Sequence, residues 1–313
     1  MITETKNAYR VGFRSLRTKE FKEMAFLTDN FLLIVTKQLN PTTTFTISGK
    51  EYSHSELYVV PAKEKNIHVK VATKQFDKDN YLELFVFTKE EDLIKRMDEG
   101  VLKSSPILAL ICLCLGERSL DYKMVEDGQA VTLTYEKSEI RKKEKKPIMK
   151  YKCAPGVVSP EFRSEEAVPI VDLFPKGFDP LEETNHKYVN LEKSFKNKMN
   201  IALRWFYKGI SENVIEDRYL AFWIAFEIIS MEGSTNVGKA KRFLGKMIGL
   251  SIDKIDKHLE IGKLSGIRSD LVHGNYVDQQ LLRKYGGKLQ NIVEESLRYS
   301  LKTRLKGTLS RYL

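Results

Sequence analysis

From Tyr188 to the C-terminus, apolar residues recur every three or four positions, which calls for helices packed on helices. Met199, Ala202, Phe206 and Ile210 share one face, with Trp205 alongside. Ser211 to Ile215 is a short break, and Glu216 and Asp217 then place acids in the first turn of a new helix, where the macrodipole favours them. That helix runs through Tyr219–Phe226 without a charged residue, so it is predicted to be buried nearly all round. After a loop at Gly233–Gly238 come a basic helix around Lys239–Met247 and another around Ile252–Ile261. The last helix has Leu282, Tyr285, Leu289, Ile292, Val293, Leu301 and Leu305 on its apolar side.

The first 150 residues follow a different pattern. Runs rich in β-branched and aromatic residues at Phe31–Val35, Glu56–Val60, Ile67–Ala72 and Tyr81–Thr88 read as strands. Glu90–Glu99 reads as a helix, and Ser105-Pro106 opens a second one to about Leu115, with Pro106 at its first position. Leu120–Val125 and Ala130–Tyr135 read as a hairpin turning at Asp127-Gly128. Between Arg141 and Lys187 lie a charge run and six of the nine prolines, the mark of a linker or an extended wrapping segment. The expected fold class is therefore α+β over residues 1–150, a Pro-rich linker over 151–187, and an all-α bundle over 188–313.

A chain of 313 residues with 42% hydrophobic residues can bury a sizeable core in about two domains. Its longest apolar runs, Ile107–Leu115 and Tyr219–Phe226, fall short of the roughly 18 residues a membrane span needs. Met1–Glu20 lacks the apolar segment of a secretory signal. Three cysteines, two of them in an apolar run, do not form a disulfide framework. These features predict a reduced, cytoplasmic protein with no membrane partner. The net charge of +10 is uneven: residues 188–313 hold 22 of the 52 Lys and Arg and 13 of the 42 Asp and Glu, so +9 falls there and +1 elsewhere. A basic domain favours polyanions, nucleic acid first, although a solvated surface has the same composition.

The chemistry-bearing stretch is Ile267-Arg268-Ser269-Asp270-Leu271-Val272-His273-Gly274. Arginine is permanently charged and matches phosphate geometry, and histidine moves protons near neutral pH. Together they suffice to cut an RNA phosphodiester without a metal. Five positions on a helix amount to about 140° of rotation, so the two side chains do not stack on one narrow face. They converge only if the helix frays near Gly274, if the site wraps the helix, or if two copies share a groove. No glycine-rich phosphate loop is present, and His54, His68, His186 and His258 lack metal-ligand spacing. No cofactor and no metal are expected.

Residues 202–213 with Trp205, residues 216–230 ending in a buried helix with Glu227, and the arginine–x4–histidine of Arg268 and His273 occur in that order. The order resembles the Apea-like branch of the HEPN superfamily over roughly residues 190–310. The resemblance implies an all-helical domain, a metal-independent endoribonuclease and a homodimer whose two copies share the catalytic groove. It carries the motif arginine onto Arg268 and the histidine onto His273. Glu227 matches the polar or acidic residue that faces the site from the second helix. After the motif arginine the family often has Asn, Asp or His, where this chain has Ser269 and then Asp270. The implied products carry 2′,3′-cyclic phosphates, and the implied setting is phage defence or stress response. Ser269 and the cations Lys239, Lys241 and Arg242 of the basic helix are the expected RNA contacts. Two other readings stay open: a non-catalytic RNA- or nucleotide-binding adaptor, which the departure at Ser269 keeps in play, and a dimerising assembly module.

Overall fold

The β-branched and aromatic runs of the first part pair into antiparallel sheets. In the computed structural model, residues 2–15, 24–27, 30–36, 42–47, 50–52, 67–72, 80–115, 120–137, 148–155, 164–169, 179–231 and 236–313 are described. Among them are β1 (Ile2–Ser15), β2 (Met24–Leu27), β3 (Phe31–Thr36), β4 (Thr42–Ile47), β5 (Lys50–Tyr52), β6 (Ile67–Ala72) and β7 (Asn80–Phe87). Helix α1 (Leu93–Leu115) follows, then β8 (Leu120–Lys137), β9 (Ile148–Pro155) and β10 (Ser164–Pro169). One sheet has the order β10-β9-β8-β1-β7-β3-β2, and β5-β4-β6 form another. Phe31–Leu33 and Leu84–Phe87 are buried in succession, so the central strands are covered on both faces. The first turns of α1 are tied down by Arg96, whose Nη1 donates to the Val131 carbonyl at 3.3 Å and whose Nη2 donates to that of Glu91 at 3.0 Å. The strand expected at Glu56–Val60 lies outside the described residues.

Three local expectations are corrected. The hairpin at Asp127-Gly128 is instead one long strand, β8, paired along β1. Its register slips between Arg10↔Gln129 and Gly12↔Glu126, so the dipeptide forms a bulge. A side chain at Gly128 would collide with the Tyr9 phenol, and glycine is the residue that fits. The two helices expected at Glu90–Glu99 and from Ser105 are one, α1, with Pro106 inside it. The chain nevertheless divides there. One unit comprises Met1–Ser104 with Arg118–Phe174, the other Ser105–Glu117 with Pro175–Leu313. Finally, part of the proline-rich stretch is structured: β9 pairs with β8 and β10 with β9. Pro155 and Pro169 close these strands, where a missing N–H is tolerated.

The second unit is helical. It contains the end of α1, then α2 (Asp179–Val189), α3 (Lys193–Ser211), α4 (Ile215–Ser230), α5 (Val237–Ile248), α6 (Ile252–Leu259), α7 (Ile261–Val272) and α8 (Gln279–Ser300), with a 3₁₀ turn at Thr308–Tyr312. Met199, Ala202, Phe206 and Ile210 of α3 are buried as their spacing predicts. On α4, Tyr219, Phe222, Trp223 and Phe226 are all buried, so this aromatic run is core of its own unit. Gly209 lets α3 approach α4: a Cβ there would lie 2.7 Å from the Phe222 ring. The Phe206 and Phe222 rings meet at 5.9 Å. The last turns of α1 belong to this core. Ile107–Leu113 are buried, and the Arg298 guanidinium of α8 donates to the Leu113 carbonyl at the helix end. Among the described residues, no helix is long and apolar enough to cross a membrane.

Candidate functional site

Helix α7 carries the arginine–histidine motif, and its placement begins at Glu260. This residue ends α6 and starts α7 with φ 53°, a left-handed conformation that costs a non-glycine residue about 1–2 kcal/mol. Its carboxylate offsets that cost, accepting from the Tyr285 hydroxyl at 2.9 Å and from Lys288 Nζ at 2.5 Å. Lys288 also donates to the His258 carbonyl at 3.1 Å. The Lys288 ammonium, aided by the Tyr285 hydroxyl, holds the Glu260 carboxyl below its ordinary range. Further along, Ile261, Leu264 and Ile267 are buried, and the Tyr219 hydroxyl of α4 donates to the Leu264 carbonyl at 2.8 Å. Burial pushes the Tyr219 phenol up, so it remains a donor.

One turn beyond Leu264, Arg268 faces α4. Its Nε lies 3.9 Å from Oε1 of Glu227, with the two side chains 33% and 22% exposed. That distance is an ion pair without a hydrogen bond. Both groups stay partly open to solvent, and among the described residues no hydrogen bond uses the guanidinium donors. Trp223 lies one turn before Glu227 and is fully buried, so the carboxylate stands where α4 passes from core to surface.

Helix α7 ends in a defined cap rather than a fray. His273 is the last residue of the motif, and Gly274 follows with φ 73°. The Gly274 N–H donates to the Leu271 carbonyl at 3.2 Å, and that of Asn275 to the Asp270 carbonyl at 2.9 Å, the two bonds of a Schellman motif. Asp270 Oδ1 also accepts from the Asn275 side chain, so this acid belongs to the helix end. The His273 side chain is exposed, and its imidazole makes no hydrogen bond or ion pair among the described residues. Arg268 and Glu227 are thus brought together, while no hydrogen bond or ion pair joins His273 to either.

The expected RNA contacts divide. Ser269 is half-buried beside Arg268. On α5, Lys239, Arg242 and Lys246 are spaced to share one face, and Arg242 and Lys246 are exposed. Lys241 lies off that face and is engaged within the fold: its Nζ is 2.9 Å from Asp256 Oδ2, and this contact lowers the Asp256 carboxyl. Among the described residues, no group of three or more His, Cys, Asp or Glu could hold a metal ion.

Sequence reasoning missed the Glu260–Tyr285–Lys288 cluster, because a left-handed glutamate leaves no periodic trace. It also missed a cleft along α3, where Trp205 reads only as a neighbour of the apolar face. The signal was the spacing of Ile201, Arg204, Trp205 and Lys208, which repeats every three or four residues on the side opposite the core. Comparison with protein-family models, with curated proteins and with solved structures finds no match.

Proposed function

We propose that the helical unit is a metal-independent endoribonuclease of the HEPN type. The observation that carries this reading is Arg268, held beside Glu227 with free donors, one helix end away from the unengaged imidazole of His273. In the proposed reaction the substrate 2′-oxygen attacks the adjacent phosphorus. His273 takes the 2′-hydroxyl proton, the P–O5′ bond breaks, and a protonated His273 of a second copy supplies the proton to the departing 5′-oxygen. Arg268 binds the phosphoryl oxygens as their charge grows, and Glu227 orients the guanidinium. The nucleophile belongs to the substrate, so no metal-bound water is required. The products are a 2′,3′-cyclic phosphate and a 5′-hydroxyl.

A shared groove accounts for the angular separation of Arg268 and His273 along α7. Val272 and Tyr276 flank His273 and are 52% and 88% exposed, supplying apolar surface against which a second copy can close. Incubating the full chain with RNA in EDTA tests the reading. Cleavage should persist, leave cyclic ends and spare DNA, which lacks the 2′-hydroxyl. His273→Ala and Arg268→Ala should each lower the rate by about 100-fold or more, with melting temperatures near that of the parent. Magnesium-dependent cleavage, or cleavage retained in both variants, rejects the assignment. A protein that binds RNA without cutting it would be the adaptor instead.

A further inference from the structure

The α3 face opposite its buried side lines a cleft of about 420 Å³. Ile201, Arg204, Trp205, Tyr207 and Lys208 line it from α3, and Ser105 contributes from α1. Ile201, Arg204, Trp205 and Lys208 stand at i, i+3, i+4 and i+7, so one stripe of the helix presents them all. The lining holds two cations and no carboxylate. Arg204 is exposed and makes no ion pair or hydrogen bond among the described residues. Lys208 Nζ sits 5.0 Å from the Trp205 ring centroid, covering one ring face with a cation that water can take back. The nearest acid in sequence, Glu212, accepts at Oε1 from the N–H groups of Asn213 and Val214, and its charge is also felt by Lys208.

An aromatic ring partly open to solvent, an apolar side chain beside it and two cations, of which Arg204 has no acid paired with it among the described residues, match one ligand chemistry. A flat apolar group bonded to anions fills all three, and an unpaired base between its phosphates is such a group. An acidic peptide would satisfy the cations but leave the indole without a planar partner. Duplex RNA keeps its bases stacked on one another and offers phosphates alone. We infer that this cleft binds an unpaired nucleobase of single-stranded RNA, stacked on Trp205, with Arg204 and Lys208 on the flanking phosphates. On binding, the base takes the ring face that the Lys208 ammonium covers, and that ammonium moves to a phosphate. The inference rests on RNA being the ligand of the helical unit, and it adds that the bound RNA carries a single-stranded stretch.

The chain has two tryptophans, and Trp223 is 1% exposed, so emission that responds to a ligand reports Trp205. The full chain carrying His273→Ala, which leaves RNA intact, is titrated with a ten-nucleotide oligoadenylate and read by fluorescence and by anisotropy of a labelled strand. Quenching should saturate, and affinity should fall steeply as salt rises. Trp205→Phe should lose the quenching while retaining affinity within a few-fold. Trp205→Ala should weaken binding by about tenfold or more. Reversing both charges with Arg204→Glu and Lys208→Glu should flatten the salt dependence, and the remaining Trp223 emission checks the fold of each variant. Unchanged affinity in Trp205→Ala and in the charge-reversed variant overturns the inference. So does equal quenching by a blunt duplex, or a Trp205 emission shift that follows protein concentration without RNA and marks a protein partner on this face. Cleavage by the parent chain without these responses would reject the cleft and leave the proposed function standing. Quenching without any cleavage by the parent would do the opposite.

Discussion

Glu260 shows how much one residue can fix. It occupies a backbone conformation that glycine usually fills, and it does so because Tyr285 and Lys288 hold its carboxylate. Its carboxyl is lowered in the folded chain, so folding favours the ionised form. The contribution is therefore fully present above the ordinary glutamate value of 4.5 and is lost as pH falls through the lower folded value. Thermal melts at pH 7 and pH 3 should show a smaller difference in Glu260→Gln than in the parent. At pH 7 the variant should be the less stable, because Lys288 is buried and loses its counter-charge. An equal pH difference in both proteins would contradict the role assigned to this carboxylate. The arginine–histidine motif could be read directly, since six consecutive residues contain it. The pairing of Arg268 with Glu227 depends on α7 docking against α4, which the Tyr219 hydroxyl secures from 45 positions away.

At the scale of elements, two glycines set geometry that other residues would spoil. Gly209 allows the close approach of α3 to α4, and an alanine Cβ would press on the Phe222 ring. Gly209→Ala should destabilise the chain by about 1–3 kcal/mol, the usual range for overpacking, measurable by urea unfolding. Gly274→Ala has open space around the added methyl, so its cost is the left-handed backbone alone, about 1–2 kcal/mol. Because that residue caps α7 just after His273, the second variant should also lose RNA cleavage out of proportion to stability, whereas Gly209→Ala should not. Helices α3, α5, α6 and α8 were legible because burial on one side imposes a period near 3.6 on the sequence, and α4 because its apolar run is continuous. The misread elements share another cause. Asp127-Gly128 signals a turn locally, yet the long strand β1 offers pairing on both sides of it, and the turn becomes a bulge. Pro106 signals a helix start, yet the helix continues through it. The prolines after Pro147 signal a linker, yet two of them only close strands. For the bulge and the strand-closing prolines, distant pairing outweighed a local preference that sequence alone displays.

On the scale of the whole molecule, the helical unit is discontinuous, with Ser105–Glu117 and Pro175–Leu313 folding as one. Arg298 donates to the Leu113 carbonyl, and the Cys114 thiol, raised by burial, meets Thr184 of α2. A fragment of residues 188–313 lacks these turns of α1 and uncovers the core that Ile107–Leu113 fill. Such a fragment should aggregate or show no cooperative melt, and a synthetic peptide of residues 105–117 added in trans should raise its melting temperature. A fragment that melts cooperatively without the peptide would show that the last turns of α1 are dispensable. The same arrangement bears on the order in which the chain leaves the ribosome. The apolar end of α1 emerges while the 181 residues from Arg118 to its partner Arg298 are still to be made. At roughly 5–20 residues per second, it waits about 10–40 s for its last partner. During that interval a sticky helix is on offer in the nascent chain, which makes every new copy a client of whatever chaperone meets it first.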